Sequence, residues 1–426
     1  MGFPAVDRMI TAIFQELDER SPDEGIVCSR NLTDAVIVPV RYVEQTVFAV
    51  GRLILLQRPV GDTVAGGIHI RSSFTGTPLT NTCFLALGAV LANIMGTTGA
   101  AMLLIRPLIA ANERRRYVMH TFVFFIFIVA NIAGSLTPLG DPPLFLGFLR
   151  GVDFFWTAEH LILPMLTAVG LLLALYFVMD SVLFNKEKDE FLLAESTCTK
   201  EPFGVEGKIN FALLGVIIGA VLMAGVWDSG MEFTVLGVHL TGQGVLRDVI
   251  FLAAAGLSLA LTPDDVRSAN QFTWEPVLEV GKLFFGIFVT IVPVLEMLKA
   301  GMAGAFAPVV AMVTNADGTA NNAMYFWMTG ALSGFLDNAP TYLAFFNMAG
   351  GDASVLMTEG ALTLMAISMG SVFMGANSYI GNAPNFMVVA IVQNRGLKMP
   401  SFFGYLLWSV GILIPIFLLL TWLYLV

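Results

Sequence analysis

Two aspartates stand where a carboxylate is costly. Asp141 lies in "NIAGSLTPLGDPPLFLGF" (Asn131–Phe148), directly after the apolar run "TFVFFIFIVA", and Asp337 lies in "FLDNAPTYLAFF" (Phe335–Phe346). An aspartate at the centre of a membrane helix costs about 2.5–3.5 kcal/mol on insertion scales, so its presence there points to function. With Thr97, Thr98, Thr137, Asn338, Asn382 and nearby backbone carbonyls, these carboxylates form a set of hard oxygen ligands suited to Na⁺ or Li⁺. Asp141, Asp337 and Asn338 are the expected transient Na⁺ ligands. A carboxylate that takes either a proton or a metal cation can exchange one for the other, which is the minimal physics of antiport. No Lys or Arg sits at either hairpin tip, Ile94–Leu104 or Phe335–Phe346; Arg106, at the end of the first hairpin, is the nearest in sequence. Plainer readings compete. Asp141 can cap the half-helix that follows Pro142–Pro143. Asp337 can belong to an ordinary Asp-Asn turn. Asn377, Asn382 and Asn385 can satisfy backbone groups at a kink.

Such residues need elements that interrupt a membrane helix and hold the ends together. The chain of 426 residues is 56% hydrophobic and only 13% charged, with 34 Phe and 21 Met. Soluble proteins carry roughly a quarter charged residues, so the composition indicates a membrane protein. Solid apolar runs at Leu161–Met179, Ile209–Trp227, Phe251–Leu261, Val280–Leu298 and Phe402–Val426 suit helices rather than the alternating strands of a barrel. Two tips, "IMGTTGAAMLL" (Ile94–Leu104) and Phe335–Phe346, break apolar runs with small and polar residues. Each is followed at a similar distance by a second interruption, "GSLTPLGDPP" (Gly134–Pro143) and "GANSYIGNAPN" (Gly375–Asn385). Paired Gly/Pro-broken segments in two halves mark the binding region of secondary transporters. Gly99, Gly140, Gly381, Pro340 and Asn131 join the candidate ion-binding residues on this ground, as positions of close backbone approach or of the breaks themselves.

Lys and Arg gather in Ala111–His120, Asn185–Lys208, around Arg267 and in Asn394–Pro400, which places these loops in the cytoplasm. The loops Asp228–Leu240, Thr314–Ala323 and Ala349–Val355 hold none and are assigned outside. The topology closes if 80–111 and 322–348 are re-entrant hairpins entering from opposite faces. The expected architecture is an all-α polytopic membrane protein, an inverted-repeat secondary transporter with two re-entrant hairpins and two broken transmembrane helices. Its parts are a diverged or partly extramembrane segment 1–65, a first repeat 66–207 with broken helix 118–150, and a second repeat 208–426 with broken helix 356–393. Residues 1–45 lack the pattern of a signal peptide, and 46–67 hold at most one poor membrane segment.

Other residues read as structural. Cys28, Cys83 and Cys198 have no metal-site spacing. His69, His120, His160 and His239 read as loop or interfacial residues, Arg114–Arg116 as a topology anchor, and Glu279 and Glu296 as snorkelling ends of an apolar helix. The net charge of −10 gives no support to nucleic-acid binding. No organic cofactor is expected, only Na⁺ and H⁺ as transported or coupling ions.

At these motifs the chain resembles the ion transporter superfamily. It is most similar to the D-type sodium/proton antiporters and to the citrate-transport family grouped beside them. "NIAGSLTPLGDPP" resembles the antiporters' Asn-Ile-Gly-Gly, Thr, Gly-Asp-Pro-Pro pattern, and "SGFLDNAPTYLAFF" (Ser333–Phe346) their second hairpin. "GANSYIGNAPNFMVV" resembles their final break. The resemblance runs from about Gly66 to the C-terminus. It implies an inverted-repeat fold, often dimeric, with an elevator-like or rocking movement, and cation and proton handling at Asp141, Asp337 and Asn338. The first hairpin reads "MGTTG" (Met95–Gly99), where the antiporters place Asp-Asn, so stoichiometry stays open. Cation/proton antiport in a bacterial inner membrane is the first expectation. Na⁺- or H⁺-coupled citrate or dicarboxylate uptake is the alternative. An intramembrane aspartyl protease is a remote third, since Leu139–Gly140–Asp141 lacks that family's first glycine and Pro142–Pro143 interrupts the helix. The partners implied are the bilayer, a small cation and a proton or a small carboxylate, and a second copy of the chain.

Overall fold

Asn81 and Asn112 sit near opposite ends of one helical segment, α1 (Pro78–Asn112), yet their side-chain amides exchange two hydrogen bonds of 2.9 and 2.8 Å. A straight helix would hold them about 46 Å apart. The chain therefore folds back on itself, and the turn is at Gly96, whose φ of 83° and ψ of 155° glycine alone adopts readily. A Cβ on Gly88 in the first arm would meet Leu104 in the second, as two packed arms require. Thr77 caps the entering arm by accepting from the Thr80 N–H, and Pro78 opens its first turn.

The computed structural model describes residues 60, 63–64, 66–71, 74–196, 204–227, 229–235, 238–269, 274 and 306–426, all in one unit, Gln45–Val426. After α1 come α2 (Met119–Ile128), a 3₁₀ turn (Ile132–Ser135), α3 (Pro142–Leu149) and the long α4 (Trp156–Ser196). Next are α5 (Ile209–Val226), α6 (Gly242–Leu261), α7 (Asp264–Ala269) and α8 (Ala307–Met312). A second hairpin follows, α9 (Asn322–Ser333) and α10 (Asn338–Met348), whose arms meet through the Tyr325 and Phe345 rings at 6.3 Å. The chain closes with α11 (Ala353–Thr358), α12 (Ala361–Phe373), a second 3₁₀ turn (Met374–Asn377), α13 (Ala383–Asn394) and α14 (Phe402–Tyr424).

Four helices among the described residues are long and apolar enough to cross a membrane, α1 counted by length. The others contain the runs at Leu161–Met179 and Phe251–Leu261 and the run from Phe402 as far as Tyr424; the run from Ile209 forms α5 as far as Val226. The run at Val280–Leu298, Glu279, Glu296 and nearly all of 1–65 lie outside the described residues. The all-α expectation needs one addition: two short antiparallel ribbons, β1 (His69–Arg71) with β2 (Gly204–Glu206) and β3 (Glu232–Val235) with β4 (Val238–Thr241).

Burial sorts the helices. In α2, Phe122 through Ile128 are fully buried, and α12 is buried from Thr363 to Phe373. A helix apolar on every side belongs in the centre. Helices α4 and α14 instead turn large side chains outward, Leu163 at 62% exposure and Leu407 at 75%, as a lipid-facing surface would.

The two halves repeat one another at a constant displacement along the chain. Thr137 Oγ1 donates to the Asn93 carbonyl at 2.7 Å, and Ser378 Oγ donates to the Gly334 carbonyl at 2.5 Å. The same displacement relates Gly134 to Gly375, Gly140 to Gly381 and Asp141 to Asn382, and each of the last two opens its half-helix in extended backbone. Gly88 against Val129 in the first half matches Thr329 against Gly370 in the second, with the glycine on the opposite partner. Packing is reciprocal too. Helix α2 packs on α13 and α12 on α3, while α1 packs on α13 and α10 on α3. The first half of each broken helix lies beside the second half of the other, as happens when two such helices cross in opposite directions.

One feature breaks the symmetry. At the open end of the first hairpin, Asp180 of α4 pairs with Arg115 Nη2 at 2.6 Å and accepts from Arg115 Nη1 at 3.0 Å, Tyr176 at 3.1 Å and Asn81 at 3.3 Å, with His120 Nε2 at 2.8 Å. Arg115 also reaches Glu187 at 2.9 Å and the Gly76 carbonyl. All four ionisable groups are buried. Arg115 is thus more than a surface topology anchor, and His120 is a core residue rather than an interfacial one. The positions of His120, Tyr176 and Asp180 correspond to Ala361, Phe417 and Thr421 in the second half, so among the described residues the cluster is not repeated there.

Candidate ion-coupling site

Asp141 occupies the N-cap position of α3 but does not cap it. Its carboxylate turns inward and accepts from three side chains on three elements. Thr97 Oγ1, just past the first hairpin tip, donates at 3.0 Å; Asn382 Nδ2, at the second break, donates at 3.0 Å; and Asn338 Nδ2, at the second hairpin tip, also donates. Prolines at the first turns of α3 and α13 explain why the chain breaks there, since proline cannot carry the i to i−4 ladder. The break is then fixed by close backbone contact. The Gly140 carbonyl accepts from Thr97 N–H at 2.8 Å, and a Cβ on Gly140 would collide with the Gly134 carbonyl.

The network continues away from the carboxylate. Asn382 Nδ2 also reaches the Ala130 carbonyl at 3.1 Å and Asn131 Oδ1 at 3.3 Å. Asn131 Nδ2 donates to Asn385 Oδ1 at 2.7 Å, and Asn385 Nδ2 donates to the Gly375 and Ser378 carbonyls at 2.9 Å each. Both hairpin tips and both breaks are therefore joined through one carboxylate, Thr97 and four asparagines, Asn131, Asn338, Asn382 and Asn385. Every donor amide is used, whereas Asn338 Oδ1 and Asn382 Oδ1 are buried without a hydrogen-bond partner. Unsatisfied buried acceptors are costly. Two such oxygens next to a carboxylate have the chemistry of a hard-cation site. Among the described residues no three His, Cys, Asp or Glu gather, so the set suits a hard monovalent ion rather than a transition metal.

The remaining sequence candidates divide. Thr137 and Gly381 brace the breaks: Thr137 through Asn93, and Gly381 by lying against the Gly375 and Ser333 carbonyls. Thr98, Gly99 and Pro340 are buried next to network residues along the chain without joining the hydrogen bonds to Asp141. Asn377 serves α14 instead, its carbonyl accepting from Ser409 at 2.8 Å. Asp337 caps α10 by accepting from the Ala339 N–H at 3.0 Å, and its neighbour Asn338 makes the bond to Asp141. The capping role thus belongs to the second aspartate and not to the first. Sequence reasoning missed Asn93, Ser333 and Ser378. For Asn93 and Ser378 the signal was the constant displacement between halves, visible only once matched contacts are known.

A chain of buried broken helices, with apolar outer helices and a polar cage at the breaks, is a multi-pass membrane transporter. Residues 47–425 match the family model described as "Putative citrate transport", and the chain belongs to that family. No curated protein matches it.

Proposed function

We propose that the protein is a secondary active carrier of a small carboxylate of the citrate kind, driven by Na⁺ or H⁺ bound at Asp141. One observation carries the coupling site: a buried carboxylate held by donors from both hairpins and the opposite break, beside two amide oxygens that lack donors. The half-helix N-termini of α3, α10 and α13 supply partial positive charge at the same level. An anion approaching Asp141 meets a like charge, so the cation binds first and the cargo second. Family membership supports a carboxylate as cargo. Reciprocal packing and the Lys/Arg-poor loops support inverted repeats in a bacterial inner membrane, with each hairpin re-entrant from its own side.

Cation/proton antiport is the second reading, favoured by the absence of a donor left over in the cage. Liposomes containing the purified chain separate the two. Labelled citrate uptake that follows an imposed Na⁺ or pH gradient supports the carrier. Na⁺-driven collapse of a pH gradient without any carboxylate uptake replaces it with the antiporter. The protease reading draws no support from a transport family.

A further inference from the structure

Helix α10 meets α3 at two points, and the coupling site uses one of them. At the first, Asn338 Nδ2 donates to the Asp141 carboxylate. At the second, Tyr342, one turn further along the same face of α10, sets its phenol against Gly147, in the half-helix that Asp141 opens. Contact there depends on the missing side chain. A Cβ on Gly147 would lie 3.0 Å from Tyr342 Cζ and 3.2 Å from Cε1, and closer still to the hydroxyl. Tyr342 is fully buried, and its ring stacks on that of Phe346 with centroids 5.8 Å apart, so it has no room to swing aside.

The Ser368 hydroxyl of α12 lies beside the phenol oxygen, but neither hydroxyl makes a well-aligned hydrogen bond. Shape therefore carries the contact: an aromatic ring wedged between α3 and α12, with a glycine on one side and a serine on the other. The displacement that relates the halves pairs Tyr342, Gly147 and Ser368 with Ala101, Val388 and Phe127. Large and small have changed places, so the first hairpin carries no such knob at this position. A packed core would hold the ring in any case. What separates this contact from ordinary packing is that each of its two residues shares a short helix with a member of the cage.

We propose that Tyr342 and Gly147 are positioning residues for the cation: their contact seats the second hairpin on α3 at the spacing that lets Asn338 reach Asp141. This rests on the reading of Asp141 as the coupling site. Relieving a collision at this point to ordinary van der Waals separation moves the two helices apart by about 1 Å. A hydrogen bond lengthened by that much is lost. Asn338 then leaves the carboxylate, and with it goes Asn338 Oδ1, one of the two buried amide oxygens without a donor. The cation loses a ligand while the Thr97 and Asn382 bonds to Asp141 stay in place. Opening at this contact changes the affinity of the site and leaves its charge alone.

Labelled citrate uptake into liposomes containing the full chain tests this, with half-saturation measured for Na⁺, or for protons where the pH gradient drives uptake. Gly147→Ala raises the cation half-saturation by about tenfold or more, as expected when a hydrogen bond to a charged group is lost. Tyr342→Phe removes the atom in closest contact and by itself changes the half-saturation little. The double variant Gly147→Ala/Tyr342→Phe returns most of the way to wild type, a rescue that independent damage at two sites would not give. A contact that serves packing alone alters the amount of inserted protein and leaves the half-saturation unmoved. An inserted Gly147→Ala protein with wild-type cation half-saturation overturns the proposal, and so does a double variant no better than Gly147→Ala. Where Gly147→Ala fails to insert, Tyr342→Leu, too short to reach Gly147, takes its place, and an unchanged half-saturation there overturns the proposal equally. A wild-type protein without cation-dependent uptake defeats the coupling-site reading and this inference together. Cation-dependent uptake that ignores these variants defeats only the inference.

Discussion

Asp141 and Asp337 show how much one residue's role depends on which way its side chain turns. Both precede a half-helix with a proline in its first turn, and their local patterns offer no ground to separate them. In the structure Asp337 caps α10, whereas Asp141 turns into a cage of Thr97, Asn338 and Asn382. The motif residues were legible because charge, proline and glycine are rarely found together in an apolar run. Their division of labour was not, because it depends on partners that lie far along the chain. Asp141→Asn puts an amide N–H where three donors already point, so gradient-driven transport falls to background while membrane insertion is retained. Asp337→Asn keeps a good cap and retains a measurable rate. Asp337→Ala loses the cap, costs about 1 kcal/mol of stability, and lowers the thermal midpoint in detergent. Initial uptake rates normalised to inserted protein distinguish the three.

At the scale of elements, a hairpin and a long helix look alike until their ends are compared. The run from Pro78 to Asn112 is continuous helix apart from Gly96, and contacts between its two arms, the Asn81–Asn112 bonds above all, reveal the reversal. Sequence pattern located the hairpin through "MGTTG", a cluster of small residues with no core to build. The pair Asn81→Cys with Asn112→Cys is expected to cross-link readily under mild oxidation, because the two side chains already touch. A straight helix would give no intramolecular product. Gly96→Ala is expected to destabilise the protein by about 1–2 kcal/mol, the cost of a positive φ for a residue with a Cβ; a shift in melting temperature measures it. The buried cluster under this hairpin was hidden from sequence reasoning because Arg115 and Asp180 lie on different elements and each is unremarkable alone. Arg115→Met leaves Asp180 and Glu187 buried beside an uncharged chain. It is expected to cost about 3–5 kcal/mol, read as lost thermal stability or lost expression.

Across the whole molecule, the second half rebuilds the first with different side chains on the same contacts. Thr137–Asn93 becomes Ser378–Gly334, and Asp141 becomes Asn382. Such a repeat was legible as two pairs of interruptions, but not as a residue-by-residue match, since identity between the halves is low and contacts are what repeat. The carboxylate is present once, so the pseudo-symmetric cage is chemically one-sided: one half supplies the charge and the other supplies amides. On the proposed inverted topology, the Glu113 loop and the Asp352 loop lie on opposite faces of the membrane. Single cysteines at Glu113 and Asp352 are therefore expected to react with an impermeant maleimide from opposite sides.

The claim on which the rest depends is that the driving cation binds at Asp141. Citrate uptake measured against imposed Na⁺ and pH gradients, in wild type and Asp141→Asn liposomes of equal protein content, addresses it most directly. The account predicts steep gradient dependence in the wild type and none in the variant. The same gradient dependence in both would contradict it.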